Sequence, residues 1–308
     1  MQSDQKGRVG SVHLNLAGSL LRRIVLVLTL VMVALLSLVV LVDPARAQEA
    51  AGAAPRATTA PAPASAPRTV TVRAGEDGSL TMPSTLRPGR YRFVVTGDSC
   101  ACVQAAKVLR SYGKERFFSD VVGSSAAAAQ RVSTRVRFVG GTNSGPGRSA
   151  VFYATLSSGR YWFYTPFAAD SPGLVRTVTV AGTVRSSSAP SVAATITSTG
   201  GALSGSAAAP LRGNLLVRNR GTAARQVVLV QLARGRTLAD ARRWLNDPEP
   251  DGASPLTEVQ TATAVIGPRA QMVWGYDLPA GTYVAISYLP YGGETPFAGA
   301  RLTTLRLG

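Results

Sequence analysis

Cys100 and Cys102, separated by a single alanine, are the two cysteines of the chain and the first residues to weigh for chemistry. Two thiolates could hold a soft, two-coordinate ion such as Cu(I). In an oxidising compartment the same thiols form a disulfide, with each other or with another chain. The spacing alone leaves these outcomes open. Histidine chemistry is excluded more firmly. The one histidine, His13, precedes a long hydrophobic segment, so everything after it lacks an imidazole for a triad, a metal site or acid–base work. A Ser–Lys pair could draw only on Lys107 or Lys114 beyond that segment, and neither stands in a serine-containing motif of that kind.

Asp247-x-Glu249-x-Asp251-Gly252, followed after five residues by Glu258, has nearly the spacing of a calcium loop. Glu249 stands where a shorter acid or amide is usual, and Pro248 and Pro250 stiffen the segment. A polar loop closing a helix is therefore expected there. Tyr161, Trp162, Phe163, Tyr164 and Phe167 crowd one strand end. Alternation puts Tyr161 and Phe163 on one face, and Trp162 and Tyr164 on the other. One face belongs in the core; the other is expected to meet a neighbouring domain.

The charge is lopsided. Thirty-three basic residues face sixteen acidic ones, and the basic set is Arg apart from Lys6, Lys107 and Lys114. An excess of this kind attracts anionic envelope polymers, lipid headgroups or nucleic acid. The arginines are dispersed, as in Arg131, Arg135 and Arg137, which equally describes solvated strand faces. The N-terminus settles part of the question. Arg22-Arg23 is followed by nineteen uncharged residues, Ile24 to Val42, and then by Ala45-Arg46-Ala47, a small-x-small cleavage signal. Residues 1–47 are expected to be a signal peptide with the mature chain starting near Gln48, or else an uncleaved anchor, since the apolar run is long enough to span a bilayer. Either way the rest is expected outside the cytoplasm, secreted or held at the envelope. Nucleic acid is then excluded as a partner, and a membrane enters only through an uncleaved segment.

The elements that must position these residues are strands. After an Ala/Pro-rich linker, 48–67, apolar and polar residues alternate over 69–73, 90–96, 131–139, 149–156, 160–167 and 174–181. A Ser-rich stretch, 183–191, precedes a second series at 193–199, 214–219, 226–232, 259–266, 271–278, 283–289 and 301–307. Two sandwich-sized units are expected, 68–182 and 192–308. They match without a gap at an offset of 122: Gly145-Pro146 on Gly267-Pro268, Val151-Phe152 on Val273-Trp274, Leu156 on Leu278, and Gly159-x-Tyr161 on Gly281-x-Tyr283. The glycines serve a turn before an aromatic strand. Each tyrosine is expected to cap the core with its hydroxyl toward solvent. One helix per unit is expected: Val103 to Tyr112 in the first, and in the second a helix opened by Thr237-Leu-Ala-Asp240, a variant capping box.

The closing stretch of each unit resembles the cupredoxins, the blue-copper β-sandwich family, and the whole resembles secreted copper-less members of that fold. In that family a Gly-x-Tyr-x-Phe strand runs into a ligand Cys, then a ligand His, then Gly-Met. Here Gly159-x-Tyr161-x-Phe163-Tyr164 meets Thr165 at the Cys place, Phe167 or Ala168 stands near the His place, and Gly173-Leu174 replaces Gly-Met. In the second unit Gly281-x-Tyr283-x-Ala285-Ile286 meets Ser287; Phe297 and Gly299-Ala300 follow. The family's upstream Asn-x-Gly…His resembles Asn219-Arg220-Gly221 before Arg225-Gln226, again without His, and Cys100 and Cys102 fall beside that missing upstream His in the first unit. The resemblance implies an all-β fold, two tandem cupredoxin-like Greek-key sandwiches each with a short helix, and no copper ligands. The expected protein is a non-enzymatic extracytoplasmic binding or structural module with no cofactor. The sequence names no partner; an anionic envelope polymer or an envelope protein would suit such a module. The alternatives are copper handling or electron transfer through Cys100 and Cys102, and, third, an enzyme of unrecognised type.

Overall fold

The computed structural model describes residues 65–97, 100–122, 126–145, 148–165, 174–247, 250–288 and 300–308. The N-terminal segment 1–47, nearly all of the 48–67 linker, and Phe167, Ala168, Gly173, Phe297 and Gly299 lie outside the described residues.

Strands dominate. The first half of the chain contributes β1 (Arg68–Ala74), β2 (Leu80–Thr81), β3 (Thr85–Leu86), β4 (Gly89–Gly97), β5 (Val103–Val108), β6 (Val136–Ser144), β7 (Ala150–Leu156), β8 (Gly159–Tyr164) and β9 (Arg176–Val180). The second contributes β10 (Ala194–Ser198), β11 (Leu203–Gly205), β12 (Ala208–Ala209), β13 (Arg212–Asn219), β14 (Gln226–Leu232), β15 (Leu256–Thr263), β16 (Gln271–Asp277), β17 (Gly281–Tyr288) and β18 (Arg301–Leu307). Three helices are described: α1 (Lys114–Val122), α2 (Ala126–Arg135) and α3 (Leu238–Asn246).

The strands form two sheets, and each sheet runs through both halves of the chain. One has eight strands in the order β11-β10-β13-β16-β7-β4-β1-β2; the other has ten in the order β12-β18-β17-β14-β15-β6-β5-β8-β9-β3. The halves therefore meet edge to edge, where β7 pairs with β16 and β6 with β15, both antiparallel. At this seam Phe152 lies opposite Trp274, its own counterpart at the offset of 122, with Val151 opposite Gly275 and Tyr153 opposite Val273. Alternation explains the layer between the sheets. Tyr91, Phe93 and Val95 of β4, Phe152 of β7, Phe163 of β8, Trp274 of β16 and Tyr283 of β17 all enter one buried cluster spanning both halves. Phe93 stacks on Phe152 with ring centres 4.8 Å apart. Rings of this size supply most of the apolar area that holds two sheets together.

Several expectations are corrected here. Val103–Val108 is strand β5, not a helix; it is buried on both faces, so its apolar residues lack the alternation that marks a strand. The strand expected over 131–139 begins as the end of α2 and becomes β6 only at Val136. The first half thus carries two helices where one was expected. The outward face of β8 does not meet the other half. Trp162 and Tyr164 pack instead with Phe117, Phe118 and Val132 of α1 and α2. Tyr161 and Tyr283 do not send their hydroxyls to solvent. Each donates to the carbonyl four residues back, Ser157 at 2.9 Å and Pro279 at 3.0 Å, across the turns that Gly159 (φ 142°) and Gly281 (φ 157°) make possible. Tyr91 closes onto Arg87 in the same way at 2.6 Å, after Gly89-Arg90. The helix at Thr237 is where the sequence places it. The Thr237 hydroxyl accepts from the Asp240 backbone N–H, and the Asp240 carboxylate accepts from that of Thr237.

Candidate functional site

The ends of β8 and β17 bring up Thr165 and Ser287, the residues that the blue-copper resemblance sets at the thiolate place. Both are essentially without solvent contact. Their hydroxyls are engaged inside the protein. Thr165 Oγ1 donates to the Gly78 carbonyl at 3.1 Å, and Ser287 Oγ lies 3.0 Å from Ser198 Oγ on β10. Such hydroxyls do not ionise near neutral pH and are poor partners for a soft metal. At the axial places Leu174 packs against the aromatic cluster under α1 and α2, and Ala300 against the mainly aliphatic cluster under α3. Hydrocarbon against hydrocarbon stabilises a position where an unliganded polar group would cost free energy. The residues present do not fit a copper ion.

The upstream side of each place is likewise built from groups with structural work. Asn219 is buried at the end of β13, and its amide donates to the carbonyls of Ala223 (2.7 Å), Ile266 (3.2 Å) and Gly267 (3.0 Å). Its Oδ1 accepts from the Gly221 N–H at 3.0 Å. Arg225 is nearly buried; burial, and then the charge of Arg301, push its guanidinium below the ordinary arginine value. Gln226 is fixed on both sides, donating to Thr263 O at 3.0 Å and accepting from the Tyr288 hydroxyl at 2.6 Å. In the first half Cys100 and Cys102 are joined to each other as a disulfide, and the buried Ala101 between them donates its N–H to Ser144 O at 3.1 Å. The Asn143 side chain lies 2.9 Å from Cys102 Sγ, beside the last turn of chain before β5.

Of the calcium-like series, Pro248 and Glu249 and the side chain of Glu258 lie outside the described residues; Asp247 and Asp251 are exposed. Among the described residues no group of three His, Cys, Asp or Glu side chains gathers, and no helix is long and apolar enough to cross a membrane.

Besides the exposed pair in which Lys107 Nζ donates to Ser157 Oγ at 2.6 Å, two constellations escaped the sequence. The first is Asp120, a carboxylate buried between α1 and α2. It accepts from the Tyr112 hydroxyl at 2.6 Å, from Arg131 at 2.6 and 2.9 Å, and from Arg116 at 3.3 Å. The Arg131 hydrogen bonds, with help from Tyr112, hold its pKa down at about 2 against the penalty of burial. Burial and that same carboxylate drive the Tyr112 phenol well above its usual range. The second is a set of arginines, Arg218 and Arg220 at the end of β13 and Arg269 in the turn before β16.

No protein-family model matches the chain, and no curated protein does. Among solved structures it is similar to the reduced auracyanin of Roseiflexus castenholzii, with 19% identity, 37% of this chain and 94% of that one covered, and a TM-score of 0.24. The blue copper protein auracyanin A of Chloroflexus aurantiacus gives 17% identity, 37% and 96% coverage, and a TM-score of 0.23. A copper nitrite reductase of Nitrosomonas europaea gives 9% identity over 78% of this chain and 93% of that one, with a TM-score of 0.23.

Proposed function

We propose that the protein is a non-enzymatic, extracytoplasmic binding or structural module built on a cupredoxin-like repeat whose metal places have been filled by structural side chains. The observation that carries this reading is the fate of Thr165 and Ser287. Both hydroxyls are buried and hydrogen-bonded within the protein, at equivalent strand ends, where the resemblance calls for a ligand thiolate. With His13 as the one histidine of the chain, no imidazole is at hand to make up for that loss. The shared sheets suit a scaffold, since two edge-to-edge ladders resist relative motion of the halves. The extracytoplasmic location rests on the basic and hydrophobic N-terminal segment.

Copper titration tests the reading. The purified chain mixed with Cu(II) should show no intense visible charge-transfer band, because no thiolate–imidazole set exists to give one. An intense blue band that survives gel filtration and disappears in the Cys100→Ser, Cys102→Ser double variant would overturn it in favour of copper handling through the cysteine pair.

A further inference from the structure

Among the described residues, two open cavities of similar size differ in charge chemistry. One, of about 470 Å³, lies beside the seam and includes Arg212 and Asp277, which pair at 2.9 Å. The other, of about 440 Å³, is lined by Arg218, Asn219, Arg220, Arg269, Ala270 and Gln271. Three guanidinium groups line this cleft and no carboxylate does. Among the described residues none of the three arginines is paired with an acid. Arg220 and Arg269 are exposed and Arg218 is half-buried, so the wall of the cleft is positively charged and open to an incoming anion.

Its construction is specific. Arg218 is the outward residue of β13 opposite Gln271 of β16, and Arg220 follows the buried clip Asn219. Arg269 comes from the turn that enters β16, and that turn is held by the Asn219 amide on Ile266 O and Gly267 O and by the Arg269 N–H on Gly221 O. Arg269 has φ 54°, and among the described residues it is the one non-glycine with positive φ. An L side chain enters that left-handed region at a cost. At the offset of 122 the first half has glycine, Gly147, at this place: Gly145-Pro146-Gly147 against Gly267-Pro268-Arg269. In the second half an exposed arginine stands on a backbone conformation that glycine adopts without strain.

We infer that this cleft binds phosphate-type oxyanions of a polyanionic chain. Guanidinium forks match tetrahedral oxyanions in two-point hydrogen bonds, and three of them suit a group with several acceptor oxygens and more than one negative charge. The inference deepens the reading of the protein as a binding module by naming its ligand chemistry. The two can fail separately, because copper titration does not involve the cleft.

The test uses the full chain, kept in detergent, and fluorescently labelled linear polyphosphate read by anisotropy. Arg269→Gly should weaken binding about tenfold while its melting temperature stays level or rises, since the change relieves the left-handed strain. The triple variant R218Q/R220Q/R269Q should abolish saturable binding, or flatten the dependence of log affinity on log salt by about 2 to 3. Three exposed arginines away from the cleft provide the charge-matched control, R234Q/R236Q/R242Q. Competition by inorganic phosphate would place a single phosphate group in the cleft. Competition only by unlabelled polyphosphate would place a longer segment there. The inference is overturned if the control weakens binding as much as the triple variant, or if polyglutamate competes as well as polyphosphate, because either result reduces the interaction to net charge.

Discussion

The two halves cover the outer face of the ten-stranded sheet in different ways. In the first half, β8 turns Trp162 and Tyr164 outward, and two helices close over them with Phe117, Phe118 and Val132. At the offset of 122, β17 turns out Val284 and Ile286, which share a smaller, mainly aliphatic cluster with Val228, Val230, Ala241 and a single ring, Tyr288, under the one helix α3. Wide rings need a wide cover. The first cover also encloses a carboxylate, Asp120, tied to Tyr112, Arg116 and Arg131, whereas the second is fastened by a capping box at the surface. One strand framework has thus accepted two lids, and the outward residues of a single strand decide which lid each half requires.

The sharpest way to break this contrast is to remove a ring. Phe117 is wholly buried and touches Tyr112, Phe118, Trp162 and Tyr164. Phe117→Ala should cost about 3–5 kcal/mol in chemical denaturation, with the loss seen first in the fluorescence of Trp162. Val230→Ala under α3 should cost distinctly less, about 1–2 kcal/mol, since fewer contacts go with it. Equal losses would mean that the two covers are energetically alike.

Asp120 comes next. Asp120→Asn keeps the shape but removes the charge that organises two arginines, and should cost about 2 kcal/mol, a charged hydrogen-bond network exchanged for a neutral one. The acid side gives the same group a signature. Its pKa in the fold, about 2, lies below the ordinary unfolded aspartate value of about 3.9. Its stabilisation is therefore full above pH 4 and is lost as the pH falls toward 2. Acid denaturation of the wild type should steepen across that window, and the Asn variant should lack that component. The smallest effect belongs to the second half. Thr237→Ala removes the N-cap of α3 and should cost about 1 kcal/mol, visible as a lower urea midpoint with the slope unchanged.

These lids also show where sequence reading works. The α3 start was legible because a capping box is a local signal, complete within Thr237 to Asp240. The first lid was not. Val132 and Val136, separated by polar residues, fit a strand as well as a helix, and β5 hides its period because both of its faces are buried. Most other strands, and the equivalence of Thr165 with Ser287, followed from alternation and the offset of 122. Pairing across the seam did not, since nothing local in Phe152 or Trp274 says that they face each other. The Asp120 cluster and the arginine cleft were invisible for the same reason. Arg218 and Arg269 are dispersed along the chain and become neighbours only because β13 lies beside β16.

The seam has a consequence for how the chain holds together in bulk solution. Where each strand meets its own counterpart in antiparallel fashion, as Phe152 meets Trp274, the contact has the form of an isologous homodimer interface, here written into one polypeptide. Covalent linkage makes that association independent of protein concentration. A half cut free would expose the backbone groups of β6 and β7 on one side, or of β15 and β16 on the other, as open hydrogen-bonding rows. Such rows recruit whatever strand is nearest, and the nearest is another copy of the same half.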